Sequence, residues 1–238
     1  KTLLKRKTEW NRNPIKKFVY LLLRQPESYL AGKKFEHEQE KYLKLSKLYA
    51  SQEELINGRP SADVYMTGSD QVWGPTENGS YDSSYCLSFV PDSVKKIAYA
   101  ASFGHTDMTE ELCVYYKKWL RRYEHIAVRE DSAVNFLNTI DIDAQQVIDP
   151  TLLLTREEWE KYVGEKIEKK YVLVYQLHND KRLGEYAQKV AKEKGLPLLR
   201  GSASLHQITR PGKFVWCPSI KNFLSYVKNA ECMITDSF

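Results

Sequence analysis

A chain of 238 residues, 42% of them apolar and 28% charged, can bury a core large enough for one large or two small α/β domains. No apolar run approaches the roughly 20 residues of a membrane-crossing helix; the longest, Phe18 to Leu23, is closed by Arg24 and Pro26, and no signal-peptide cleavage pattern follows it. The charge of +5 is uneven: residues 1–50 hold 13 Lys and Arg against 5 Glu, a net of +8, while the rest carries 23 against 26, a net of −3. Such a basic arm is either a solvated helical surface or a contact for a membrane surface or biosynthetic partner. No nucleic-acid-binding module occurs, so no nucleic-acid partner is expected. Cys86, Cys113, Cys217 and Cys232 are scattered and form no CxxC. That pattern fits free thiols in a cytoplasmic protein better than a disulfide framework or a zinc site.

In chain order, residues 14–49 read as helix in two pieces broken near Gly32, with Phe35, Tyr42, Leu43, Leu45, Leu48 and Tyr49 spaced as an apolar stripe. Ser51-Gln-Glu-Glu54 is a capping box opening a short helix that ends at Gly58 and Pro60. Strand Val64–Thr67 runs into the loop Gly68-Ser-Asp-Gln-Val-Trp73. Strand Lys96–Ser102 is followed by Phe103-Gly104-His105 and a helix over 109–123. Strand His125–Val128 gives way to Arg129 and a helix from Asp131 to about 139. A brief strand, Gln146–Ile148, ends in Asp149-Pro150.

Thr155-Arg-Glu-Glu158 is a second capping box. Strand Tyr171–Tyr175 precedes a helix over 181–194 that stops at Gly195. Leu196–Leu199 and Phe214–Trp216 read as strands, 219–229 as helix, and the chain closes on a strand from Glu231 into Thr235-Asp-Ser-Phe238. The alternation of strand and helix predicts parallel sheets. The resulting division is a basic helical arm over 1–60, a first Rossmann-like domain over 61–152 and a second over 153–238. Both domains look partial, since neither chain end falls where such a unit usually opens or closes.

In open α/β sheets, ligands bind beyond the carboxyl ends of the strands. The residues there are the candidates. Arg129 offers a planar fork that matches a carboxylate or phosphate; the plain alternative is an arginine paired with Glu130 or Asp131. In the loop after the first strand, Ser69, Asp70 and Gln71 supply polar groups. Trp73 supplies either a flat face for a sugar ring or a core side chain. His105 and His178, each after a strand, can exchange protons near neutral pH or stand idle. Asp149 before Pro150 reads as a structural strand-end turn. GxGxxG, Walker, HExxH and GxSxG patterns are all lacking, which argues against nucleotide hydrolysis and dinucleotide redox chemistry. No metal site is expected.

Taken together, Gly68-Ser-Asp-Gln-Val-Trp73, Ala100-Ala-Ser-Phe-Gly104, Ala127-Val-Arg-Glu-Asp-Ser132, Val147-Ile-Asp-Pro150 and Ile234-Thr-Asp-Ser-Phe238 resemble the polysaccharide pyruvyl transferase family in order and spacing. The resemblance implies an α/β fold of two Rossmann-like domains, like the GT-B glycosyltransferases, with the site in the cleft between them. It also implies transfer of pyruvate from phosphoenolpyruvate to a sugar of a cell-surface polysaccharide, usually as a ketal, with no cofactor beyond that donor. Arg129 falls where the family keeps a donor-contacting arginine. Asp70 and His105 are then candidates for acceptor binding or proton transfer. Ser69, Gln71 and Trp73 would serve as substrate contacts, and Asp236 and Ser237 would line the cleft from the second half.

Two departures are expected to matter. The asparagine- and glycine-containing turn that opens family members is missing. The family pattern also continues after Asp-Ser-Phe with His-Gly, which would leave the site incomplete in the residues given. The acceptor implied is a sugar or lipid-linked oligosaccharide, and the implied setting is the cytoplasm, peripheral to the inner face of the membrane. Two other readings stay open: a GT-B-type glycosyltransferase or epimerase using a nucleotide sugar, and a non-catalytic relative that binds glycan or a partner.

Overall fold

A computed structural model describes residues 14–76, 79–178 and 180–237 of the protein. Contacts divide the chain into two compact units, Ser46–Arg156 and a second that joins the residues up to Leu45 with Glu157–Phe238. Each unit is a mixed α/β body around a four-stranded sheet, and every strand pair in both sheets is parallel.

Helix α1 (Pro14–Tyr42) is continuous through Pro26 and Gly32, where the sequence predicted a break at Gly32. An interior glycine costs about 1 kcal/mol and an interior proline about 3 kcal/mol, so something must hold the helix together. Tertiary contacts within its own unit do so. Ala31 is buried, the Glu27 carboxylate accepts from the Leu205 N–H, and Glu38 accepts from the Ile220 N–H at 2.9 Å. Lys34 lies over the Trp216 ring, 4.5 Å from its centroid. The expected apolar stripe is not a buried face: Phe35, Tyr42, Leu43, Leu45 and Leu48 are all exposed. The first 13 residues of the basic arm lie outside the described residues. No described helix is long and apolar enough to cross a membrane.

The Ser46–Arg156 unit opens with helix α2 (Gln52–Gly58), capped as predicted: Ser51 Oγ accepts from the Glu54 N–H. The return bond of the box reaches one residue further back, from the Ala50 N–H to Glu54 Oε2. Strands β1 (Val64–Thr67), β2 (Lys95–Ala101), β3 (His125–Val128) and β4 (Gln145–Gln146) lie side by side in chain order. Helices α3 (Glu110–Leu120) and α4 (Asp131–Thr139) cross between β2 and β3 and between β3 and β4. The small residues of β2 suit the middle of this sheet, where Ala98, Ala100 and Ala101 are buried.

The core of this unit is aromatic. Trp73, Phe103, Tyr116 and Phe136 are buried together, with the Phe103 ring edge-on to Tyr116 at 4.9 Å and to Phe136 at 5.2 Å. Such pairs add about 0.5–1.5 kcal/mol each beyond the area they bury. Tyr116 donates its hydroxyl to the Trp73 carbonyl, so the loop after β1 is fastened to α3. All four cysteines are free thiols, and burial pushes the Cys86 thiol up to about 12, which leaves it protonated and inert.

The other unit carries a short helix α5 (Arg156–Glu160), strand β5 (Val172–Tyr175), helix α6 (Lys181–Lys194), strands β6 (Leu198–Ser202) and β7 (Lys213–Trp216), helix α7 (Ile220–Asn229) and strand β8 (Cys232–Thr235). Asp180 caps α6, and Gly195, at φ +63°, ends it in the left-handed region, where the sequence predicted the stop. The sheet order is β7-β6-β5-β8. The chain therefore winds outward from β5 through β6 to β7 and returns to the far side of β5. That reversal is a topological switch point between β5 and β8, the kind of place where open α/β sheets bind ligands.

Candidate functional site

In the Ser46–Arg156 unit the carboxyl ends of the strands gather the predicted residues, because all four strands point the same way. Arg129 follows β3 directly; its N–H donates to the Ala101 carbonyl at 3.2 Å, and Gln146 Nε2 donates to its carbonyl at 3.2 Å. Its guanidinium donates from Nε to Glu130 at 3.0 Å and from Nη1 to Asp149 at 3.1 Å. Burial works against its charge, but Glu130 and Asp149 outweigh that and hold it firmly protonated.

Asp149 is the hub of this group. It stands in extended backbone before Pro150, at φ −58° and ψ 138°, as a residue before proline should. Its Oδ1 accepts from the Thr151 N–H at 2.9 Å and from Thr151 Oγ1 at 2.7 Å. Its Oδ2 accepts from Ser69 Oγ and from Arg129 Nη1, both at 3.1 Å. The two bonds from Thr151, set against partial burial and helped by Arg129 and Ser69, depress its carboxyl to about 2. The strand-end turn read from Asp-Pro is present, and the same carboxylate also ties β1's loop to β3's. Sequence reasoning missed that second role, since nothing local links residue 149 to 69 and 129.

The remaining candidates lie around this cluster without joining it. Asp70 adopts φ +85° and accepts the Gln71 N–H on its own Oδ1 at 2.8 Å; its backbone bridges to Ala101. Gln71 lies across Gly104, whose φ is +76° and where a Cβ would fall 2.7 Å from Gln71 Nε2. Glycine is favoured there, since a side chain would be strained at that φ and would push Gln71 aside. His105 is exposed next to it. The Asp70 carboxylate bonds within its own loop, while the Arg129–Asp149 pair is joined by Ser69. Trp73 corrects the sugar-platform expectation. It is 2% exposed, its Nε1 donates to the Tyr85 carbonyl, and its faces are covered by Phe103 and Tyr123. It is a core side chain.

In the second unit Asp236 ends β8 at the switch point. It accepts from the N–H groups of Leu177 at 2.7 Å and His178 at 2.9 Å, with His178 Nδ1 3.3 Å away. Burial alone would raise its carboxyl, but those two N–H donors hold it below the usual range. Ser237 turns back to bond Thr235 Oγ1 through its N–H at 3.0 Å. Among the described residues no group of three or more metal-ligating side chains gathers.

The chain is similar in structure to the UDP-N-acetylglucosamine 2-epimerase from Rickettsia bellii, with a TM-score of 0.46 and 15% identity over 78% of this chain and 54% of that one. The chain thus spans about half the length of that relative. No curated protein matches it. The sequence profile of polysaccharide pyruvyl transferases matches residues 4–238, nearly the whole chain. The five spaced motifs, the parallel sheets that bring them to strand ends, and this match agree: the chain belongs to the polysaccharide pyruvyl transferase family, a family of transferases.

Proposed function

We propose that the protein transfers pyruvate from phosphoenolpyruvate to a pair of hydroxyls on a sugar or lipid-linked oligosaccharide, forming a ketal. The observation that carries this reading is the Arg129 cluster: a fixed guanidinium at a strand's carboxyl end, within a chain of a pyruvyl transferase family. Phosphoenolpyruvate presents a phosphate and a carboxylate close together, and a planar fork of donors recognises such oxygens. Glu130 and Asp149 hold the fork in place. Glu130, with 38% of its side chain exposed against 19% for Asp149, is the partner a donor anion displaces.

The reaction then requires a proton delivered to the methylene carbon of the donor, which leaves an oxocarbenium-like centre. A sugar hydroxyl adds to it and loses its proton, phosphate departs, and the second hydroxyl closes the ketal. We assign Arg129 to the donor anion, Asp70 and His105 to acceptor binding or proton transfer, and Ser69 and Gln71 to substrate contact. Asp236 and Ser237 are assigned to the acceptor. The lysine-rich α1 suits contact with an anionic membrane surface, where lipid-linked acceptors reside; the protein then works in the cytoplasm at the inner face. Full-length protein incubated with phosphoenolpyruvate and a panel of glycosides should release phosphate only when an acceptor is present. Phosphate release that ignores the acceptor, or none with any of them, overturns the assignment.

One observation favours a second reading, a non-catalytic relative that binds glycan or a partner. Arg129 already faces two carboxylates, as a structural arginine would. Donor binding that is unchanged in Arg129→Ala would decide for that reading.

A further inference from the structure

The second unit buries an arginine that the reading above does not use. Arg200 sits in the middle of β6, opposite Val174 of β5 and Phe214 of β7, and is 1% exposed. Its side chain runs beneath the first turns of α6: a Cβ placed on Gly184 would sit 3.8 Å from Arg200 Nη2. Its Nη1 donates to Gln176 Oε1 at 3.3 Å. Its Nε and Nη2 are buried without a hydrogen-bond partner among the described residues, and no carboxylate among them pairs with it.

Those two nitrogens form one edge of the guanidinium. The same edge of Arg182 grips the Asp180 carboxylate from Nε at 3.2 Å and Nη2 at 2.8 Å, which shows what the edge is shaped to hold. Arg200's edge meets no acceptor among the described residues. A second guanidinium stands beside it, since Arg210 Nη1 donates to the same Gln176 Oε1 at 2.6 Å. Gln176 is braced in turn, giving its Nε2 to the Asp180 carbonyl at 2.6 Å and taking Gln207 Nε2 on its own carbonyl at 2.9 Å. Burial, with Arg210 adjacent, works against Arg200's charge, and the N-terminal end of α6 adds a further positive field. Taking the Arg200 guanidinium out of water is expensive unless an opposite charge joins it.

We infer that Arg200 and Arg210, with Gln176 and the start of α6, form a binding site for a phosphate group, as a phosphate monoester or a diphosphate. Arg200 takes two phosphate oxygens on its Nε–Nη2 edge. Arg210, only half-buried, is the outer member of the pair. The inference stands apart from pyruvate transfer: it needs a phosphorylated ligand, whichever reactant carries the phosphate.

The test uses full-length protein titrated with inorganic phosphate, phosphoenolpyruvate and uridine diphosphate, followed by calorimetry and by Tm. At least one of the three should bind and raise Tm by several degrees. The rise should vanish in Arg200→Met, and binding should weaken roughly tenfold in Arg210→Gln. Tighter binding of phosphoenolpyruvate assigns the phosphate to a monoester donor, and tighter binding of uridine diphosphate to a diphosphate-bearing reactant. The effect should persist in Arg129→Ala, which separates this site from the proposed donor arginine. If Arg200→Met does not fold, wild type crystallised with phosphate decides, with density expected on the Nε–Nη2 edge. Water alone on that edge, no binding in any arm, or unchanged binding in Arg210→Gln overturns the site.

Discussion

Two arginines, one in each unit, lie at or below the carboxyl ends of parallel strands, and their surroundings are opposite. Arg129 has carboxylates from Glu130 and Asp149 on two of its nitrogens, so its cluster is over-compensated. Arg200 has a neutral amide on one nitrogen, no hydrogen-bond partner among the described residues on two, and a second guanidinium nearby. A rim arginine already satisfied must exchange a partner to bind a new anion. A buried arginine short of acceptors gains by binding one. The difference separates an arginine that must exchange a carboxylate for a ligand from one whose inner donors meet no acceptor among the described residues.

The largest expected effect is on catalysis. If the protein transfers pyruvate as proposed, Arg129→Ala removes charged hydrogen bonds worth about 1.5–3 kcal/mol each, so kcat/KM for phosphoenolpyruvate should fall about 100-fold or more. Stability gives the reverse comparison. Arg200→Met, which removes an uncompensated buried charge at similar volume, should leave unliganded stability unchanged or raise it by about 1–4 kcal/mol in urea unfolding. A loss of several kcal/mol instead would show that Arg200 is structurally paired after all.

A smaller effect has a defined pH signature. The Asp149 carboxyl is depressed in the folded protein, so its contribution is present above its unfolded value, near 4, and is lost as pH falls through about 2. Asp149→Asn should therefore cost about 1–2 kcal/mol at neutral pH. Wild type and variant should converge as pH falls from about 4 to about 2. A gap that stays constant down to acid would mean that packing, not charge, makes the difference. The smallest effect sharpens the exchange idea: Glu130→Gln removes the competing carboxylate and should lower the KM for phosphoenolpyruvate by about threefold, where a structural arginine would show no change.

Much of the scaffold was legible because it is written in local patterns. The β3 strand and α4 helix fall at His125–Val128 and Asp131–Thr139, where apolar run and helical spacing place them. Helix α6 runs from Lys181 to Lys194 and stops at its Gly195 signal. The misses were tertiary. A Pro-Gly-containing helix runs unbroken because Glu27, Lys34 and Glu38 anchor it to residues more than 170 positions away. Trp73 after a glycine-bearing loop fits a sugar platform and a core equally well by composition, and only its aromatic neighbours decide for the core. Strand β6 reaches Ser202, beyond the expected Leu199, through a charged residue that single-sequence reading places on the surface.

Sequence alone determined the family motifs, the alternation that makes parallel sheets, and the delivery of Ser69, Arg129, Asp149 and Asp236 to strand ends. These follow from spacing along the chain, which hydrophobic period and capping chemistry encode directly. Tertiary structure decided which of those groups meet and which stand apart. It made Asp149 the hub that joins Ser69 to Arg129, and it buried Arg200 among Gln176, Gln207 and Arg210. Charge balance at a site depends on side chains far apart in sequence, and only folding sets their distances.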